Sequence, residues 1–249
     1  MSTHPTIDAL TKAIQAIPTG ARWDPGRALT LFAHAAVLGT TQRAQQGYRF
    51  LLHAKSYPPM REALEGLLFP EAQAMAIRHA TSAYMDAVDA ASPFEDVLTQ
   101  VHAHFLGRNG GNGLGQHFTP PDMTKLVAAL GADHRKRHPT GRDLCRVYEP
   151  CCGAGGLVLA QIQVLVEEGK AITVHATDLD PLCSAMTALQ LLANQMVHGV
   201  ALRECVVTVG DVLTGRERLA FASAAVRGWQ APNAVDGSWK QAEKTHLHV

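Results

Sequence analysis

The chain has 249 residues, is 47% hydrophobic and 18% charged, and carries 22 Lys plus Arg against 22 Asp plus Glu. That hydrophobic content excludes a mainly disordered protein, and the length is enough for one large core or two smaller ones. Charge divides evenly, nine of each sign through Arg108 and thirteen of each after it, so no basic arm announces a nucleic-acid partner, while a local basic patch stays open. The five cysteines, Cys145, Cys151, Cys152, Cys183 and Cys205, are odd in number and fit no zinc spacing, which predicts reduced thiols in an intracellular protein and no metal site. Met1–Leu10 lacks the pattern of a signal peptide, and no run of about 18 apolar residues spans a membrane. The expected compartment is the cytoplasm.

Residues 1–106 read as a helical region. Pro18 to Pro25 is a break. Helices are predicted over Ala28–Leu38, Thr41–Lys55, Met60–Leu68 and Pro70–Val88, with Pro58-Pro59 stopping the second. Ser92-Pro93 predicts the next helix start, with Ser92 as cap and Glu95-Asp96 near its positive end. Almost no strand candidates occur here. Gly107 to Gly115 then holds five glycines in nine residues, which on composition alone is a flexible linker.

From there strand-like and helix-like stretches alternate. A short helix is predicted over Met123–Leu130, strands over Arg146–Glu149, Ala171–Thr177 and Glu204–Val209, and helices over Gly155–Glu168 and Pro181–Val197. Strands separated by helices of this length predict β-α-β units and a parallel sheet with right-handed crossovers. Leu219–Val226 reads as a degenerate fourth strand or a short helix. The basic run His134–His138, with Arg142 and Arg146, reads as a solvated loop or a phosphate contact.

Three segments carry chemistry. In Val147–Leu157 a strand ends in Glu149, a glycine-rich turn follows through Pro150, Gly153 and Gly155, and a helix starts at once. Glycines permit a tight turn and close backbone approach, the helix start offers free amides, and the acid suits a cationic group. The bland alternative is a turn that packs a helix on a sheet. Next comes Asp178-Leu179-Asp180-Pro181 at the end of the second strand. Asp178 is placed to accept from ribose hydroxyls and Asp180 to cap the following helix. Gly210-Asp211 follows the third strand. Three acids at successive strand ends converge where open parallel sheets bind ligands.

Just before this core stands Gly115-Gln116-His117-Phe118-Thr119-Pro120, where Thr119 could cap a helix. Followed by Glu149-Pro150-Cys151-Cys152-Gly153-Ala154-Gly155-Gly156, it resembles the N6-adenine DNA methyltransferases, including the modification subunits of type I restriction systems. The likeness covers roughly residues 97–213. It implies a Rossmann-like α/β methyltransferase core, incomplete here, behind a helical region, with 107–249 as the domain that binds S-adenosylmethionine. It implies that Gln116, Phe118, Thr119 and Pro120 line the cofactor site from above. Glu149, Gly153 and Gly155, with Pro150 in the same turn, hold the methionine end. Asp178 binds the ribose and Asp211 reaches the adenine amino group. DNA and a partner protein subunit are the implied partners.

The sequence departs from the family at Glu149, where Asp is usual, and at His117, where an aromatic is usual. The family's catalytic motif, Asn/Asp-Pro-Pro-Phe/Tyr, positions the flipped base, and no Asn-Pro-Pro or Asp-Pro-Pro occurs in this chain. The expectation is therefore adenine N6 methylation with the catalytic residues unassigned. The alternatives are a non-catalytic cofactor- or DNA-binding relative, of the plasmid or phage accessory type, and a methyltransferase with another substrate.

Overall fold

The computed structural model describes residues 5–46, 52–107 and 118–225. The helical region opens with α1 (Pro5–Gln15) and α2 (Pro25–Gln45). Asp24 caps α2 by accepting from the Arg27 amide at 3.0 Å, and Pro25 occupies the first turn, where its missing N–H costs nothing. The predicted pair of helices over this stretch is corrected. The helix α2 runs unbroken through Gly39 because Phe32, Ala33, Ala36, Val37, Thr40 and Thr41 are all buried along it.

The last three residues of the predicted Thr41–Lys55 helix lie in a strand, β1 (His53–Ser56), paired antiparallel to β5 (Arg216–Ala224). Its buried positions are Ala54 and Ser56, too small to mark an apolar alternation in the sequence. Thr41 Oγ1 donates to the Val37 carbonyl and lies 2.9 Å from Ser56 Oγ, which ties the strand to α2. Pro58-Pro59 then open a short helix, α3 (Pro58–Glu62), where Met60–Leu68 had been predicted. Next come α4 (Glu71–Ala90) and α5 (Leu98–Leu106). The start of α5 lies five residues beyond the predicted Pro93. The reason is Phe94, which is buried with φ at +58° and cannot continue a helix.

The second half delivers α6 (Pro121–Arg137), β2 (Leu144–Glu149), α7 (Gly156–Glu167), β3 (Ala171–Asp178), α8 (Pro181–His198) and β4 (Glu204–Asp211). As the alternating pattern predicted, β2, β3 and β4 are parallel neighbours. Among the described residues five strands run in the order β1-β5-β4-β3-β2. Of the two readings of Leu219–Val226, a strand or a short helix, residues 219–224 take the strand, and Val226 lies outside the described residues. This strand is β5, antiparallel to β4, because the turn between Asp211 and Arg216 is far too short for a crossover. Helix α6 is twice as long as predicted, so the basic run lies in its last turn rather than in a loop. There it complements the helix dipole.

Described residues from before and after Gly107 share one hydrophobic cluster. Leu29, Phe32 and Tyr84 of α2 and α4 share one hydrophobic cluster with Leu189 of α8 and Phe221 of β5. The sheet is packed unevenly. Ile172, Val174, Ala176, Cys205, Val207 and Phe221 point into that cluster. On the opposite face a small cluster of Tyr57, Leu219, Ala222 and Val206 sits near β5. Towards β2 that face is open, and Tyr148 is 52% exposed beside the His175 ring. Among the described residues no helix is long and apolar enough to cross a membrane.

Candidate active site at the glycine turn

The turn from β2 to α7 is built by its neighbours. The Cys152 amide donates to the Thr177 carbonyl, and the Gly155 amide donates to the Cys152 carbonyl. Gly155 adopts φ +100° as it enters α7, a conformation that side chains resist. Three side chains close in around the turn. Thr187 Oγ1 donates to the Gly153 carbonyl and lies 3.1 Å from where a Gly155 Cβ would be. Asp96 Oδ2 lies 2.7 Å from where a Gly156 Cβ would be. The Phe118 ring lies 3.0 Å from the corresponding point on Gly153.

At the carboxyl end of the sheet two acids, Glu149 and Asp178, bond to this turn. Asp178 Oδ2 accepts from the Gly153 amide at 2.8 Å, and its Oδ1 accepts from the Asp180 amide at 2.9 Å. Asp178 thus clamps the glycine turn to the end of β3. Its carboxyl is raised from the ordinary range, first by burial and then by the charge of Asp180, against the lowering effect of those amides. Asp180 caps α8 through the Leu182 amide, as predicted. Glu149 Oε1 accepts from the Cys151 amide at 3.1 Å. Burial raises the thiols of Cys151 and Cys152, and the charges of both Asp178 and Glu149 push them further up, which places the two carboxylates around the same turn. Neither acid forms an ion pair with Lys, Arg or His among the described residues. Two carboxylates without a cation, facing a glycine turn, suit a positively charged ligand that also carries hydroxyl groups.

The other predicted residues fall in different places. Thr119 and Pro120 are exposed at the start of α6, and Pro120 rather than Thr119 takes the cap position. Gln116 lies outside the described residues. Pro150 is exposed within the turn. Asp211 Oδ1 accepts from the Leu213 and Thr214 amides, so one of its oxygens is committed to the β4–β5 hairpin.

Two residues escaped the sequence. Gln190 of α8 donates to the Ala154 carbonyl and to Asp96 Oδ1, and accepts from the Val97 and Leu98 amides. Asp96 is half-buried, and burial raises its carboxyl above the usual range despite the Thr99 and Gln190 hydrogen bonds. Together they lock the start of α5 to the glycine turn. No spacing rule reveals this, because Gln190 lies 36 residues from Ala154 and 94 from Asp96.

His102 is fully buried with its ring centroid 4.3 Å from that of Phe118, and neither ring nitrogen has a hydrogen-bond partner among the described residues. Burial lowers the pKa of His102, as it does that of His34, from the ordinary 6.5. Because the folded value lies below the unfolded one, the stabilising contribution of the neutral rings is complete above pH 6.5. It is lost as pH falls through the lowered values. Asp96, raised above 3.8, works in the opposite sense. His102→Phe is therefore expected to lose less thermal stability than the wild type between pH 6.5 and 5. Melting curves across that range check it, and equal slopes would remove His102 from the account.

The sequence profile of the N-6 DNA methylase family matches residues 94–223, from Phe94 before α5 almost to the end of β5. The methylase subunit of the type I restriction enzyme MjaIX from Methanocaldococcus jannaschii is 26% identical over 105 residues, which cover 39% of this chain. The match spans 17% of that subunit's length. A Listeria monocytogenes crystal structure, described as a class I S-adenosylmethionine-dependent methyltransferase, aligns over 97% of this chain and 98% of its own with a TM-score of 0.48 and 9% identity. With its profile matched over more than half of the residues, glycine turn and strand-end acids included, the chain belongs to the N-6 DNA methylase family.

Proposed function

We propose that this chain binds S-adenosylmethionine at the glycine turn and forms the cofactor half of an enzyme that methylates N6 of adenine in DNA, acting in the cytoplasm. The observation that carries the reading is the cation-free pair Glu149 and Asp178 around a turn that belongs to a methylase profile. Glu149 takes the ammonium of the methionine end. Asp178 offers its remaining lone pairs to the ribose hydroxyls while it keeps the turn in shape. Phe118 walls the turn, Thr119 and Pro120 follow it, Gln116 contributes a contact to the cofactor, and Gly153, Gly155 and Pro150 set the path of the backbone. Asp211 reaches the adenine amino group of the cofactor with the oxygen that the hairpin does not use. When bound, S-adenosylmethionine supplies an electrophilic methyl group on a sulfonium.

The acceptor amine must then be held in line with that methyl group. The Asn/Asp-Pro-Pro motif that holds it in the resembling enzymes is absent from the sequence, so the acceptor side comes from a partner protein subunit. The same absence favours a second reading, a relative that binds cofactor without turning it over.

Calorimetric titration with S-adenosylmethionine tests the site. The wild type is expected to bind in the micromolar range. Glu149→Gln, which keeps the side-chain length and removes the charge, is expected to bind about ten-fold to 100-fold more weakly, the worth of a charged hydrogen bond. No heat of binding from folded wild-type protein would overturn the reading.

A further inference from the structure

Helices α2 and α4 lie outside residues 94–223, which carry the family likeness. They meet where the rings of Phe32 and Tyr84 stand 6.0 Å apart, edge to face. Between them lies a cavity of about 550 Å³. Its apolar lining includes Phe69, Ile77 and Met85, and its polar lining includes Thr40, Arg43 and Arg78. A hollow of this size, mostly apolar with a few convergent polar groups, suits a small organic molecule.

Charge gives the first indication of its chemistry. Arg43 and Arg78 come from the two facing helices, and neither guanidinium has an ion pair or a hydrogen bond among the described residues. Helix α2 contains no acid, and no acid lines the cavity. The second indication is Thr40, which is only 2% exposed and lines the same cavity. Thr11, Thr30, Thr41 and Thr81 each donate to the carbonyl four residues back. The Thr40 hydroxyl makes no such bond and has no other partner among the described residues. A buried hydroxyl without a partner is costly, and a ligand that accepts from it removes that cost. The third is Gly39, in the interior of α2. A glycine there weakens a helix relative to any ordinary side chain. Yet nothing beyond the neighbouring backbone of α2 lies within 4 Å of where a Gly39 Cβ would be, so no packing explains it. Its effect is to keep the hollow open.

We propose that this cavity binds a small phosphate monoester with a flat, apolar body, of the size and chemistry of a mononucleotide. Arg43 and Arg78 hold the phosphate from two sides, and Thr40 donates to one of its oxygens. Phe69, Ile77 and Met85 carry the flat body. A phosphate monoester brings a charge of about −1.5 to −2 near neutral pH, which answers both guanidiniums, whereas a carboxylate answers only one. The cavity shares no residue with the glycine turn, and the proposal does not rest on the cofactor reading.

Calorimetric titration of the full chain with naphthyl phosphate tests it, because that probe carries neither adenine nor ribose. Naphthol and inorganic phosphate serve as its two halves. The ester is expected to bind about ten-fold or more tightly than either half. Arg43→Gln and Arg78→Gln are each expected to weaken it about ten-fold, the worth of a charge-assisted contact. Gly39→Leu is expected to keep or raise the melting temperature while it fills the hollow and abolishes binding. S-adenosylmethionine titrations of all three variants are expected to match the wild type. No saturable binding at millimolar ester would overturn the proposal, as would binding that ignores both arginine substitutions. A mixed-sequence DNA duplex that displaces the ester at lower concentration would also overturn it, by assigning the arginines to backbone phosphates.

Discussion

Gln190→Leu is expected to destabilise the protein by about 4 kcal/mol, because several buried polar groups lose their partner at once. The side chain is fully buried and touches four partners, at 2.9 Å from the Val97 amide, 3.3 Å from the Leu98 amide, 2.9 Å from Asp96 Oδ1 and 2.7 Å from the Ala154 carbonyl. Leucine keeps most of the volume, so the loss reports hydrogen bonding rather than a cavity. Gln190→Glu separates the two directions of bonding. Its carboxylate still accepts from Val97 and Leu98, but it donates nothing to Ala154 and stands against the carboxyl of Asp96. At pH 7 it is expected to be about as damaging as leucine, and to recover part of the loss as pH falls and one of the two carboxyls takes a proton. Urea unfolding of the three proteins at two pH values measures this. A loss below about 1 kcal/mol for Gln190→Leu would mean that water replaces the side chain and that the hub is not a hub.

The glycine turn, its acids and the parallel β2-β3-β4 unit were legible because their signals are local. A strand that ends in Glu149, a Gly-x-Gly-Gly turn and a helix lie within about a dozen residues, and each βα unit repeats the scheme. What escaped is set by contacts between distant segments. Ala54 and Ser56 become strand residues only because β5 passes beside them. Phe94 leaves the helical region because its amide is drawn to Asn194 Oδ1 and its ring is buried. In the sequence Gly210 stood only as the residue before Asp211 at the end of the third strand. In the hairpin a Cβ there would lie 2.1 Å from the Arg216 carbonyl oxygen, so β5 can pair only with a glycine at that point.

Asp178→Asn is expected to lower S-adenosylmethionine affinity about 100-fold, more than Glu149→Gln, because it removes a charge and also disturbs the turn itself. Both carboxylate oxygens of Asp178 accept from main-chain amides, Gly153 on one side and Asp180 on the other. An amide side chain has one oxygen and one NH₂ group, so whichever way it turns it sets a donor against one of those N–H groups. The clamp between the glycine turn and β3 is then half released, at a cost of about 1–3 kcal/mol in stability. Cys151 gives a second, independent readout. It is exposed, and after burial the charge of Asp178 is the larger of two nearby causes that raise its thiol. Removing that charge lowers the thiol, so alkylation of Cys151 at a fixed pH near neutrality should run faster in the variant. The pH dependence of binding follows from the same group. Burial raises the Asp178 carboxyl above the ordinary 3.8, so the ionised form that attracts a cationic ligand is depleted earlier in an acid titration than for an exposed aspartate. Wild-type affinity should therefore fall as pH drops through that raised value, and the asparagine variant should show a flatter profile. If the variant binds as tightly as the wild type while Cys151 reacts faster, the charge is where the structure places it and the ribose does not use it. The hydroxyls of the cofactor would then have to be held by Glu149 or by the amides of the turn.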